Sequence, residues 1–149
     1  MTRMKPQPGR VIVASSDTVA HEVLQAYPHT AGCLHTIAPG VHLPAALDDA
    51  QRDAQKSQAR QQLGLPATGP LVLFVGNDYI KKGLPALLQA LARPETSALH
   101  LMVVGQPTHR ARCEALAQRL GVHTRVHFLG SLADVTPAYQ AADVLVHPT

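Results

Sequence analysis

Two adjacent lysines stand just before a glycine in the run Val75-Gly76-Asn77-Asp78-Tyr79-Ile80-Lys81-Lys82-Gly83. An apolar, strand-like run precedes this segment, and a leucine pattern of helical spacing, beginning at Leu84, follows it. Loops at the carboxyl ends of strands in open α/β sheets are where ligands bind. Gly76 lets backbone approach a ligand closely, and Gly83 lets the next helix start tightly. The first turn of a helix offers free N–H groups and the positive end of its dipole, both suited to a phosphate. Lys81 and Lys82 add cations at the same place, with Lys82 expected to be largely exposed, so the residues can form a pyrophosphate clamp. The competing reading is a solvated βα loop with two surface lysines. The spacing matches neither the Walker A loop nor the dinucleotide G-x-G-x-x-G pattern.

Other reactive side chains show less organisation. None of the nine histidines falls in a zinc-binding spacing. His123 and His127 are expected to share a strand face with Arg125, and His147 can either line a site at a strand end or pack. Cys113 sits on the apolar face of a helix and reads as a small core residue. Tyr139 is expected to pack the last helix onto the sheet, and Asp143 to introduce the last strand. Asp48, Asp49 and Asp53 belong to a solvated helix. Cys33 and Cys113 fit neither a metal site nor a disulfide framework and suit a reducing compartment.

The elements that must position the lysine loop are legible in the apolar pattern. Strands are expected at residues 11–14, 71–75, 99–104, 126–129 and 144–147, with a weaker one at 34–37. Continuous rather than alternating apolar runs imply strands covered on both faces, as in a parallel sheet. Helices are expected over 18–27, 84–92, 110–120 and 134–142, the first capped by Ser15, Ser16 or Asp17 and the third closed by Gly121. From residue 71 the order is β-α-β-α-β-α-β, which predicts a Rossmann-like doubly wound α/β sheet. Residues 48–62 read as an exposed polar helix closed by Gly64, and Pro66, Gly69 and Pro70 then punctuate the chain. These breaks divide it into residues 1–40, a linker with a polar helix at 41–68, and residues 69–149. Both ends look like cuts through a larger protein, and residues 1–40 look too small to fold alone.

Composition excludes several classes. The chain of 149 residues is 46% hydrophobic, enough to build a core, and so is not disordered as a whole. No apolar run approaches the roughly 18–20 residues that span a bilayer. The 13 Lys and Arg exceed the 10 Asp and Glu by 3, spread along the chain, and aromatics make up only 3%. Nucleic-acid binding needs clustered cations and aromatic stacking platforms, so no nucleic-acid partner is expected.

Residues 76–83 resemble the G-[S/N]-D-[F/Y]-x-[R/K]-K-G loop of nucleotide-sugar-dependent glycosyltransferases of the GT-B fold. Val103-Val104-Gly105-Gln106 resembles their second strand-end glycine. Residues 114–122, then Arg125-Val126-His127-Phe128-Leu129-Gly130, resemble the next helix and strand. Ala141-Ala142-Asp143-Val144-Leu145-Val146-His147-Pro148 resembles A-A-D-x-x-x-x-P. Ala14-Ser15-Ser16 and Ile37-Ala38-Pro39-Gly40-Val41 resemble the segment that leaves the acceptor domain and enters the hinge. The set is colinear over nearly the whole chain and is most similar to retaining family 4 enzymes, particularly lipopolysaccharide-core glucosyltransferases.

That resemblance implies a donor site residue by residue. Lys82 corresponds to the lysine that contacts the donor diphosphate, with Lys81 assisting. Gly76 and Asn77 lie beside the phosphates, Gly105 where backbone closes over the nucleotide, and Leu129 and Gly130 where backbone holds the base. Asp134 lies in the following loop, within reach of the donor. The family's catalytic acidic pair, Glu-x7-Glu, falls beyond Thr149, so the catalytic residues are unknown and the isolated chain is expected to be inactive. The implied partners are a nucleotide-diphosphate sugar and a glycan or glycolipid acceptor. No cofactor and no metal are expected, since no Asp-x-Asp pair suited to Mg²⁺ stands among the motifs. The full enzyme would be cytoplasmic, at the inner face of the membrane by peripheral association. The alternatives are a GT-B UDP-sugar epimerase and a non-catalytic nucleotide-binding remnant.

Overall fold

The computed structural model describes residues 9–40, 45–106 and 108–148. Val41 of the hinge-like segment, residues 42–44 of the expected linker and the first eight residues lie outside these. The chain divides between Ala45 and Ala46 into two compact units.

The first unit is a single β-α-β turn of chain. Strand β1 (Ile12–Ala14) runs parallel to β2 (Leu34–Thr36), with helix α1 (Asp17–Ala26) between them. Among the three candidate caps, Ser16 takes the N-cap position, its hydroxyl accepting from the Val19 amide at 3.2 Å. Within the described part of this unit only Ala14 and Thr30 are buried, and Val11, Val13 and Ile37 stay exposed. The described part of this unit thus has a small core.

The second unit is a three-layer sandwich. Helix α2 (Asp49–Gln62) precedes strand β3 (Leu71–Val75), after which α3 (Leu84–Leu91), β4 (His100–Val104), α4 (Arg110–Arg119), β5 (Val126–Gly130), α5 (Thr136–Ala141) and β6 (Val144–Leu145) follow. The four strands form one parallel sheet in the order β5-β4-β3-β6. Alternate residues feed opposite faces. Val72, Phe74, Leu101 and Val103 pack with Leu84, Leu88, Cys113 and Ala117 of α3 and α4. Leu71, Leu73, Met102 and Val104 pack with Ala59 of α2 and Ala138 and Ala141 of α5. Burial on both faces is why the strands read as unbroken apolar runs. The chain steps outward from β3 through β4 to β5 and then returns to the far side of β3, so the topological switch point lies between β3 and β6.

Several expectations need correction. The polar helix is not exposed throughout: Arg60 is only 4% exposed. Its guanidinium donates to the carbonyls of Ala141, Ala67 and Gly69 and to an Asp143 carboxylate oxygen at 2.9 Å. Asp143 also accepts from the Leu71 amide at 2.7 Å and pairs with Lys56 at 2.6 Å, so it fastens α2, β3 and the start of β6 together. Tyr139 is exposed; Ala138 and Ala141 provide the contact it was expected to make. His123 and Arg125 lie in a 3-10 turn rather than on a strand face, and Arg125 donates to the carbonyls of Leu91, Thr96 and Leu99. The helix expected over 134–142 and the strand expected over 144–147 are both shorter: Ala142 is already extended and closes α5 after Ala141, and β6 spans only Val144–Leu145.

Partial burial works to raise the Asp143 pKa, but the Lys56 hydrogen bond, the Leu71 amide and the charges of Lys56 and Arg60 outweigh it, holding the carboxyl below its usual range. A depressed carboxylate pKa contributes stability that is complete above the unfolded value, about 3.9, and disappears as pH falls through the folded value. The carboxylate side chain is 35% exposed, so screening reduces what the pair contributes. Asp143→Asn should lower unfolding free energy by about 2 kcal/mol at pH 7. Urea titrations repeated below about pH 4 should show the gap between wild type and variant closing.

Candidate functional site

The carboxyl ends of β3, β4 and β5 are joined through backbone contacts that exclude side chains. Gly105 has φ of +131°, and a Cβ placed there would stand 2.1 Å from the Gly76 carbonyl oxygen. The Gly76 amide donates to the Val104 carbonyl at 2.9 Å, and the Gly105 amide to the Gly130 carbonyl at 2.8 Å. At the end of β5 the register slips: Val103 faces Phe128, but Val104 faces Gly130, leaving Leu129 as the extra residue of a bulge. Side chains add to this join. The Asn77 side-chain oxygen Oδ1 accepts from the Gln106 amide at 3.1 Å, and the Tyr79 hydroxyl donates to the Gly105 carbonyl at 3.2 Å. Tyr79 is fully buried between Phe74 and Phe128, and burial pushes its phenol pKa up, against the opposing charge of Arg110. It therefore stays a neutral donor at physiological pH.

The lysines ride on a tight turn built within residues 76–83. The Asp78 side chain accepts from the Lys81 amide at 3.0 Å, and the Asp78 carbonyl from the Lys82 amide at 2.9 Å. Lys81 is exposed. Lys82 is half-buried rather than largely exposed, because its Cβ and Cγ lie over Gly76, 3.2 Å from where a glycine Cβ would be. Gly83, at φ +79°, passes so close to Pro148 that an added Cβ would meet its carbonyl oxygen at 2.6 Å. That contact joins the lysine turn to the end of β6, across the switch point.

The first turn of α3 does not provide the free amides expected of it. Leu84 donates to the Tyr79 carbonyl, Pro85 has no N–H, and Ala86 and Leu87 both donate to the Gly83 carbonyl. The positive charge at this turn is carried by the Lys81 and Lys82 side chains, not by free helix amides.

Gly76, Asn77, Lys82, Gly105 and Gly130 are thus brought together. Lys81 stands beside them, exposed, and Leu129 packs into the core on the α2–α5 face. Asp134 caps the approach to α5, accepting from the Thr136 amide at 2.9 Å; hydrogen bonds from the Thr136 side chain and amide hold its carboxyl below the usual range. Residues that sequence reasoning passed over include Tyr79 and Gln106, whose contacts are set by long-range register, and His109, a non-glycine residue at φ +65° that opens α4. Among the described residues, no three His, Cys, Asp or Glu side chains form a metal-holding group. A groove of about 500 Å³, lined by Ile80, Gly83, Pro85, Ala86 and Leu116 among others, lies between α3 and α4 and abuts the lysine turn.

A doubly wound parallel sheet with glycine-joined strand ends and a lysine turn at its switch point defines an α/β unit of the nucleotide-binding type. The sequence pattern of the family described as "Glycosyl transferases group 1" matches residues 55–149, and the chain belongs to that family. It is 35% identical over 144 residues to a D-inositol 3-phosphate glycosyltransferase of Xylanimonas cellulosilytica, covering 93% of this chain and 34% of that protein. It is 42% identical over 92 residues to the lipopolysaccharide glucosyltransferase WaaG of Escherichia coli, covering 60% of this chain and 24% of WaaG. The crystal structure of a WaaG involved in lipopolysaccharide biosynthesis superposes with a TM-score of 0.77 at 29% identity, over 96% of this chain and 40% of that one. Anabaena HepE, solved with UDP and glucose, superposes at 0.70 with 25% identity, over 92% of this chain and 37% of that one. The chain spans about a third of the length of these relatives. The GT-B resemblance and the parallel α/β fold expected from the sequence are both borne out.

Replacing Gly105 with alanine places a methyl group on the Gly76 carbonyl and forces a backbone angle that L-residues avoid. Gly105→Ala should destabilise the unit by about 3 kcal/mol. Tyr79→Phe, which removes one hydrogen bond and keeps the ring, should cost about 1 kcal/mol. Chemical denaturation of the two variants should rank them in that order; equal stability would mean that the loops are not held by this join.

Proposed function

We propose that this chain carries the diphosphate-holding half of the donor site of a nucleotide-sugar-dependent glycosyltransferase. The whole enzyme transfers a hexose, with retention, from a nucleotide-diphosphate donor to a glycan or glycolipid acceptor, such as a lipopolysaccharide core. The observation that carries this reading is the position of Lys82, its stem held over Gly76 at the switch point, where open α/β sheets bind their ligands. The likeness to WaaG and the UDP and glucose held by HepE support it.

The chemistry follows from charge. As the glycosidic bond breaks, the leaving diphosphate gains negative charge. A cation already fixed beside it stabilises that charge without reorganising at the moment of reaction. Lys82 has that fixity and Lys81, exposed and one residue earlier, adds field strength. In this reading Gly76 and Asn77 lie along the phosphates, Gly105, Leu129 and Gly130 present backbone to the nucleotide, and Asp134 lies at the rim. The lysines take the place of a metal, so no cofactor is needed. No helix of the described residues is long and apolar enough to cross a membrane. The full enzyme works on the cytoplasmic side, reaching a glycolipid acceptor by peripheral contact.

In the full-length enzyme, Lys82→Ala should lower turnover on the order of a hundred- to a thousand-fold, the loss of roughly 2.7–4 kcal/mol of barrier lowering. Because the lysine stem packs on Gly76, the same change should cost about 0.5–1 kcal/mol of stability. Lys81→Ala should act in the same direction but less. Steady-state kinetics with a nucleotide-sugar donor check this, and unchanged turnover in Lys82→Ala would return the loop to a solvated surface turn.

A further inference from the structure

Beyond Leu145 the chain leaves β6 and turns across the top of the sheet. The Val146 amide still donates to the Leu73 carbonyl at 2.9 Å, and two residues later the Pro148 carbonyl lies against Gly83. His147 is held between these two anchors. Its ring lies parallel to that of Phe74, at 11° and 6.3 Å between centroids. Phe74 is fully buried, and its ζ carbon reaches under Gly76, 3.2 Å from where a Cβ would stand. Lys82 lies at the same distance from that point through its Cβ and Cγ. One aromatic ring thus supports both the glycine under the lysine and the imidazole across the switch point. The imidazole is exposed, and among the described residues neither ring nitrogen has a hydrogen-bond partner.

We propose that His147 is a second diphosphate-binding residue, donating a ring N–H to a donor phosphate oxygen from the side of the crevice opposite Lys82; this rests on the donor-site reading above. An imidazole always carries at least one N–H, and can place it on either nitrogen. Packing against Phe74 limits the ring's rotation, so little side-chain freedom remains to be lost on binding. Lys82 brings a charge whose stem is held over Gly76, and His147 brings a directed donor on a planar ring, which makes the pair sensitive to where the phosphate sits.

The bland role for His147 is to cover Phe74, and phenylalanine performs that role equally well. The test measures binding of UDP, or of GDP or ADP where UDP does not bind, and of the matching nucleoside to the full-length enzyme by calorimetric titration. His147→Phe should weaken diphosphate binding about tenfold while nucleoside affinity stays within about twofold. His147→Gln, which keeps an N–H donor and loses the ring, should retain diphosphate affinity within about threefold of wild type. Wild-type diphosphate affinity in His147→Phe, or equal losses for diphosphate and nucleoside, would overturn the role of His147 while leaving the donor site standing. Failure of the wild-type enzyme to bind UDP, GDP or ADP, or indifference of that binding to Lys82→Ala, would remove the donor-site reading and this inference with it.

Discussion

Everything at the ligand-facing edge depends on Gly105 passing the Gly76 carbonyl at a distance that no side chain survives. In a parallel sheet each strand end opens into a loop that must cross to a helix, and those loops diverge unless something draws them together. Here the backbone does so directly. Gly76 donates to Val104, Gly105 donates to Gly130, and the two loop side chains Asn77 and Tyr79 reach across to the same place. Without this contact the lysine turn would still exist, since Asp78 and Ile80 build it locally, but it would have no fixed relation to the neighbouring strand ends.

The sheet below supplies the rigidity that makes so close an approach stable. Its strands are buried on both faces, with complementary sets of alternate residues facing the two helical layers. That arrangement was readable in the sequence because an unbroken apolar run as short as Leu71–Val75 suits a strand covered on both sides and little else. The loop at 76–83 was readable for a similar reason: glycines and lysines at a strand-helix junction are local features, and local features survive without coordinates.

What the sequence concealed was long-range or depended on burial. Arg60 and Asp143 are 83 positions apart, and nothing in the polar stretch around Arg60 distinguishes it from Arg52, which pairs with Asp49 in solvent. Their bond appears only once α2 lies on α5. The first turn of α3 misled in the opposite direction. A helix start after Gly83 suggests free amides, yet the chain before it curls so tightly that the Tyr79 and Gly83 carbonyls take them. Tyr139 was misread because a tyrosine in an alanine-rich helix suggests an anchor, whereas alanines let α5 approach the sheet more closely than a large ring would.

The two lysines differ in a way that bears on how such a site works. A free lysine side chain loses roughly 1.5–2 kcal/mol of rotamer freedom when it is ordered, and a cation that must be ordered during reaction offsets part of its own benefit. Lys81 is exposed and bears that loss in full. Lys82 has its stem laid along Gly76 by the fold itself, so part of its ordering is complete on folding. Glycine is therefore needed at 105 so that its loop can pass the Gly76 carbonyl, and at 76 so that Lys82 can lie across its α carbon. A side chain at 76 would press on the Lys82 stem and on the Phe74 ring beneath it. The lysine stem and the strand-end join thus rest on two neighbouring glycines, which is why a loop of local sequence features is tied to three strand ends.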